Sequence, residues 1–310
     1  MSILKLKPAC KDYIWGGRRL ADEYGISTDK DILAEAWVLS CHPDGPSVIV
    51  NGPNEGKTLA QYIQENGAKV LGTHCRRFRD FPILVKFIDA KQNLSVQVHP
   101  GNRYALAEEH QYGKTEMWYV MDAGPNSFLY YGFKREVSRE EFARRIQEDT
   151  LLEVLNAVPV QKGDVLFIES GTIHAIGANI LIAEIQQNSN VTYRVYDYDR
   201  KGSDGKPRPL HTERASDVAV LTPPRNNYNF GGHLARSMYF TVDLKDGPGG
   251  ISCGDESFLS LLVLDGQGEV SCGGETLACR KGDSLFVPAE SGAVTYSDGL
   301  RLLCTQVGTI

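Results

Sequence analysis

The chain of 310 residues has no basic excess: 33 Lys and Arg stand against 39 Asp and Glu, a net charge of −6. That balance excludes a dedicated nucleic-acid binder, which carries a strong positive surplus. No run approaches the ~18 apolar residues of a membrane-crossing helix. The opening MSILKLKPACKDYIWGG lacks the apolar core of a secretory signal. The seven cysteines (Cys10, Cys41, Cys75, Cys253, Cys272, Cys279, Cys304) are odd in number and form no C-x-x-C pair. A disulfide scaffold is therefore not expected, and reduced thiols in a cytoplasmic protein are. The remaining composition, 42% hydrophobic and 23% charged, excludes wholesale disorder. At about 150 residues per domain, the length predicts two domains.

Helical patterns are scarce as well. Lys57–Leu71 has Leu59, Tyr62, Ile63 and Val70 near helical spacing. Ser138–Asn156 opens on a Ser138-x-x-Glu141 capping box and sets Phe142, Ile146 and Leu155 on one side. Short apolar or alternating runs dominate instead: Phe81–Ile88, Met117–Met121, Val165–Ile168, Ile180–Ile185, Leu259–Leu264, Leu285–Val287 and Leu300–Cys304. Gly, Asn, Asp and Pro punctuate them, the pattern of many short strands. The chain also echoes itself. KGDVLFI at 162–168 returns as KGDSLFV at 281–287, and Tyr119–Asp122 resembles Leu262–Asp265. Each copy is a strand, a Gly-Asp turn and a strand. The expected architecture is mostly β: two jelly-roll barrels with appended helices. The boundary falls after TPPRNNYNFGG (222–232), giving domains 1–235, with a helical insertion at 138–156, and 236–310.

Alternation predicts that Ser95, Gln97 and His99 share one strand face, and Lys114, Glu116 and Trp118 another. His174 follows the first Gly-Asp turn. Two imidazoles and a carboxylate suit a divalent transition metal such as zinc, and the amide of Gln97 suits a fourth, uncharged ligand. Aligning the repeats puts Leu259 opposite Glu116 and Ala293 opposite His174. The scaffold is repeated and the ligand candidates are not, as one working site and one degenerate copy require.

Gly163-Asp164 with His174 resembles the second cupin motif, Glu169 standing where many cupins have Pro. More closely, KDYIWGG (11–17), EAWVLSCHPDGPS (35–47), PILVKFIDAKQNLSVQVHP (82–100), KTEMWYV (114–120), Gly163–His174 and EIQQNSNVTYRVYDYD (184–199) resemble the type I phosphomannose isomerases in their short bacterial form. The resemblance covers most of residues 10–215. It implies two cupin-type barrels and isomerisation of mannose 6-phosphate and fructose 6-phosphate through a cis-enediol(ate), with one zinc ion per chain. It places His99, Glu116 and His174 as metal ligands and Gln97 as the added amide ligand. Arg194 matches the catalytic arginine, Glu184 an acidic residue near substrate, and Ser95 and Lys114 substrate-contact positions. Gly113 stands where long-form relatives often have His, and Ser189-Asn190 where many have Ser-Asp.

Carbon-acid chemistry needs a base that shuttles one proton and a cation for the growing oxyanion. Arg194 suits the second task, being planar and always protonated. Glu184 and Lys114 both suit the first. The basic, Gly-rich loop Arg200–Arg208 is either a solvated surface loop or a phosphate cradle. Trp15, Trp37 and Trp118 are candidate pocket walls or core, and His42 is read as structural. Two other functions fit the residues: a ferrous cupin oxygenase, against which a bound Gln97 argues, and a sugar-phosphate-binding cupin without catalysis. The expected partner is a small sugar phosphate, with neither nucleic acid nor membrane.

Overall fold

The structure is a computed structural model and describes residues 3–202 and 205–309. The chain is mostly β, with short helices between strands. Among the described residues no helix is long and apolar enough to cross a membrane. Two compact units result, and they differ from the division expected at 235/236. One comprises the segment up to Lys11, Arg18–Phe87 and the chain from Asn229 on; the other comprises Asp12–Gly17 and Ile88–Tyr228. The C-terminal strands thus draw in the chain's beginning. Leu4–Lys7 pairs antiparallel with Ser284–Val287, Leu4 opposite Phe286, a long-range pairing that no local pattern announces.

In the unit built around Ile88–Tyr228, eight strands matter: β1 Val96–Val98, β2 Glu116–Ala123, β3 Phe128–Phe133, β4 Leu155–Pro159, β5 Val165–Ile168, β6 His174–Ile176, β7 Ile180–Gln187 and β8 Tyr193–Tyr196. Within this unit one sheet contributes the run β5-β2-β7, part of a six-stranded sheet, and the other runs β8-β1-β6-β3-β4; neither sheet closes on itself. The period-two sequence decides what each face carries. Val96, Val98, Ala175, Tyr193 and Val195 point to one side of the second sheet. There they pack with Phe142 and Ile146 of α1 (Arg139–Gln147) and Ala215 of α2 (Thr212–Val218) in one buried cluster. Each fully buried Phe or Ile contributes about 1.5–3 kcal/mol. The intervening residues Gln97, His174 and Arg194 are left to the opposite, inner face.

The helix expected over 138–156 is shorter. Ser138 accepts the Glu141 N–H as a cap, but the Glu141 carboxylate turns to Arg135 and Arg145, so the box is half made. Asp149 adopts φ 55°, which ends the helix, and after a 3-10 turn Leu155 and Asn156 open β4. The Lys57–Leu71 pattern becomes a helix over Leu59–Asn66 and a 3-10 turn over Ala68–Leu71, separated by Gly67 at φ 77°.

In the other unit the long strand Leu259–Cys272 serves two sets of partners. Its first half pairs with Ser284–Val287 and Leu300–Gln306, its second with Glu275–Arg280 and Gly292–Tyr296. The repeat is reproduced to the hydrogen bond. Gly163 N–H donates to Val120 O (2.8 Å) and Val120 N–H to Asp164 O (2.9 Å); Gly282 N–H donates to Val263 O (2.9 Å) and Val263 N–H to Asp283 O (2.9 Å). Gly163 at φ 95° and Gly282 at φ 93° occupy the region only glycine enters freely. Ile168 lies opposite Glu116, and Val287 opposite Leu259, so the register places the carboxylate and its apolar counterpart at the same point of the two copies.

Candidate metal centre

Three short stretches build the site. On the inner face of the second sheet, Arg194, Gln97 and His174 form one cross-strand row over β8, β1 and β6. On the first sheet, Glu116 lies opposite Gln186 and Trp118 opposite Glu184, and these residues share the face turned toward His174. The Trp118 indole meets the His174 ring edge-on at 5.4 Å.

His99, Glu116 and His174 are buried, and one ligand atom of each lies within 4.8 Å of the others. The two Nε2 atoms are 3.2 Å apart, and His174 Nε2 is 3.3 Å from Glu116 Oε1. His99 Nε2 stands 3.9 Å from Glu116 Oε2. Donors bound tetrahedrally at about 2.0–2.1 Å lie about 3.3 Å apart, so the first two separations suit one shared cation. The imidazoles are also in the right tautomer. His99 Nδ1–H donates to Val191 O and His174 Nδ1–H to Thr172 O, both at 2.8 Å, which leaves the Nε2 lone pairs facing each other. Burial foremost, then the Lys114 ammonium, pushes the His174 imidazole down to about 4, so it is neutral. Two inward lone pairs beside a carboxylate are a donor set that calls for a cation. The Gln97 amide end lies 3.4 Å from His174 Nε2; with the amide flipped, its carbonyl oxygen faces the cluster.

Lys114 is buried among these groups. Its ammonium contacts Glu116 Oε2, lies 3.2 Å from His99 Nε2 and 3.5 Å from Glu184 Oε1. Glu184 accepts the Trp118 indole N–H at 2.9 Å. The backbone around Lys114 is pinned: Gly113 N–H donates to Asn102 Oδ1, Lys114 N–H to Pro100 O and Thr115 N–H to Gln187 Oε1, at 2.8–3.0 Å. A Cβ on Gly113 would lie 2.5–2.6 Å from backbone atoms of Pro100, Gly101 and Asn102. No side chain fits there, which accounts for glycine at that position.

Ser95 is buried just before β1. Arg194 is half-buried; Nη1 donates to Pro209 O at 3.2 Å, while Nε is buried with no hydrogen-bond partner among the described residues. Burial, then Arg208, draws its guanidinium below the usual value, against Asp197. Within the basic loop, Arg200 and Arg208 both grip the buried Asp197 at 2.5–2.7 Å. Ser203 and Asp204 of that loop lie outside the described residues. Of the tryptophans, Trp118 alone is tied to this cluster. Trp15 stacks on Tyr13, and Trp37 binds Glu35 and meets His42 edge-on. His42 Nδ1 accepts the Asp44 N–H, a structural role. The Val191 and Thr172 carbonyls that orient the imidazoles leave no trace in a sequence pattern, because any residue supplies a carbonyl.

The sequence profile of the type I phosphomannose isomerase catalytic domain matches residues 3–123, and that of the mannose-6-phosphate isomerase cupin domain matches residues 232–305. The mannose-6-phosphate isomerase of Streptococcus mutans is 39% identical over 302 residues, 94% of this chain and 94% of that protein. The chain belongs to the type I phosphomannose isomerase family. The crystal structure of the mannose 6-phosphate isomerase from Bacillus subtilis aligns with a TM-score of 0.90 at 35% identity, over 98% of this chain and 99% of that one. A structure of mannose 6-phosphate isomerase bound with zinc and yttrium shares the fold at 20% identity, with a TM-score of 0.79 over 99% and 100% of the two chains.

Proposed function

We propose that this chain is a metal-dependent aldose–ketose isomerase that interconverts mannose 6-phosphate and fructose 6-phosphate. One zinc ion per chain is held by His99, Glu116 and His174, with Gln97 as the fourth ligand. The observation that carries the reading is the pair of Nε2 atoms 3.2 Å apart, both turned inward by Nδ1–H bonds to backbone carbonyls. When bound, the ion supplies a Lewis acid for the sugar carbonyl or its neighbouring hydroxyl.

The chain's own groups do the rest. On the way from aldose to ketose, one proton leaves C2 of the open-chain sugar and returns at C1 through a cis-enediol(ate), while the O2 hydroxyl proton is lost and one is gained at O1. Lys114 and Glu184 form the buried pair assigned to that transfer, Lys114 being the member in contact with the ligand cluster. The Nε–H of Arg194, without a hydrogen-bond partner among the described residues, is assigned to the oxygen on which negative charge grows. Arg200 and Arg208 share one carboxylate, Asp197, so the loop keeps a positive surplus for the substrate phosphate. Ser95 is assigned to the sugar. Catalysis is assigned to residues 1–235 and a structural role to 236–310, where Leu259 and Ala293 stand in the ligand positions. Seven unpaired thiols fit a cytoplasmic setting. Nothing in the family favours the oxygenase or the binding-only alternative.

The test is elemental analysis beside a coupled mannose 6-phosphate assay. One zinc per chain and turnover are expected, with His99→Ala losing both. Metal-replete protein without turnover overturns the reading.

A further inference from the structure

Arg194 belongs to β8, the edge strand of its sheet, and faces Gln97 of β1 across the pair. In a strand the N–H and C=O of one residue point to the same side of the ribbon. At an edge, alternate residues therefore present unpaired backbone groups. For Arg194 both groups go to a single residue: its N–H donates to His211 Nδ1 at 3.0 Å, and His211 N–H donates to Arg194 O at 2.8 Å. The contact falls where the register shifts between Arg194 and Tyr196, a bulge of the kind that re-aims a side chain.

His211 sits at the N-cap of α2, where Ser, Thr, Asp and Asn are favoured, yet its side chain makes no cap bond. The local preference of the helix is given up for the strand. The imidazole lies 6.1 Å from the Tyr193 ring, whose hydroxyl donates to Glu109 at 2.8 Å, and Arg214 closes the set by pairing with Glu109. Burial first, then Arg194 and Arg214, lowers the His211 pKa against Glu109, which keeps Nδ1 available as an acceptor.

We infer that His211 is a positioning residue: by clamping both backbone groups of the bulged edge residue it sets where the Arg194 guanidinium points. The inference rests on the role proposed for Arg194. A small misplacement of a catalytic group costs up to about a hundredfold in rate.

Two measurements on the zinc-loaded full chain test it. In His211→Ala, kcat is expected to fall at least about tenfold with KM changed less than about twofold, because the lost interaction acts in the transition state. Zinc content stays at the wild-type value. In His211→Asn, whose Oδ1 takes the place of Nδ1, most of kcat returns. Independently of turnover, hydrogen exchange at the Arg194 amide is expected to be protected in the wild type, exposed in His211→Ala and protected again in His211→Asn. An unchanged kcat in His211→Ala overturns the inference. So does an unprotected wild-type amide, or equal loss of kcat in both variants. Absence of turnover in the wild type refutes the proposed reaction instead, and the exchange pattern then decides the clamp alone.

Discussion

Replacing Lys114 by Met separates the two cations that the site can use. In the metal-free chain the ammonium is a positive charge that faces both Glu116 and Glu184, and all three side chains are buried. At 3.5 Å from Glu184 Oε1 that pair is worth about 4–5 kcal/mol by Coulomb's law with an effective dielectric near 20, and the closer Glu116 contact is worth more. Burial offsets part of this, and breaking a buried ion pair by removing one partner typically costs about 3–5 kcal/mol. Lys114→Met should therefore lose about 3–5 kcal/mol in urea unfolding with a chelator present. With saturating zinc the ion supplies the missing positive charge, so the loss should shrink to under about 2 kcal/mol. The two pairs of urea curves, wild type and variant with and without metal, form a double cycle. An equal loss in both states would refute the reasoning, because the ammonium and the metal would then not be neutralising the same carboxylates.

Arg194→Ala should keep its zinc and lose about 10²–10³ in kcat, as removal of an oxyanion donor does; full rate in a coupled assay would cancel its assignment. Metal-free protein should weaken in acid. His174 titrates at about 4 folded against 6.5 for the free group, so the unfolded chain binds more protons in that window. Stability is then complete above pH 6.5 and falls by about 3 kcal/mol as pH drops to 4, whereas His174→Asn should lose that portion of the slope in urea midpoints read at pH 7.5 and 4.5. Gly113→Ala should cost about 1–3 kcal/mol by overpacking and weaken zinc binding, since the clashing backbone adjoins His99; an unaltered melting temperature with and without zinc would contradict this.

The strand faces that carry Gln97 and His99, and Lys114 and Glu116, were legible because period two is written directly into LSVQVHP and KTEMW. The repeat was legible because a Gly-Asp turn needs glycine at positive φ, and the pairing register agrees with the alignment of Leu259 to Glu116. What the helix-spacing argument misread was Leu155. It lies about 220° around a helix from Phe142, on the far side, and the chain turns at Asp149 and spends Leu155 on a strand. The joining of Leu4–Lys7 to Ser284–Val287 was invisible because pairing partners far apart carry no local mark. His211 escaped notice for a related reason. A histidine before a Thr-Glu helix start reads as a poor cap, and only the fold brings it to the Arg194 backbone. The basic loop left a cradle and a solvated surface loop both open, and no spacing in it shows that Asp197 ties down two of its guanidinium groups.

The alternation that sends Val96 and Val98 to the helices and Gln97 to the opposite side has an evolutionary corollary. Chemistry and packing are spelled in the same two-letter rhythm, so neither is editable alone. Inserting or deleting one residue within 94–99 or 191–196 would trade every ligand-side group for a core-side one at a stroke. A change of length is therefore expected to be tolerated only in the turns that join these stretches.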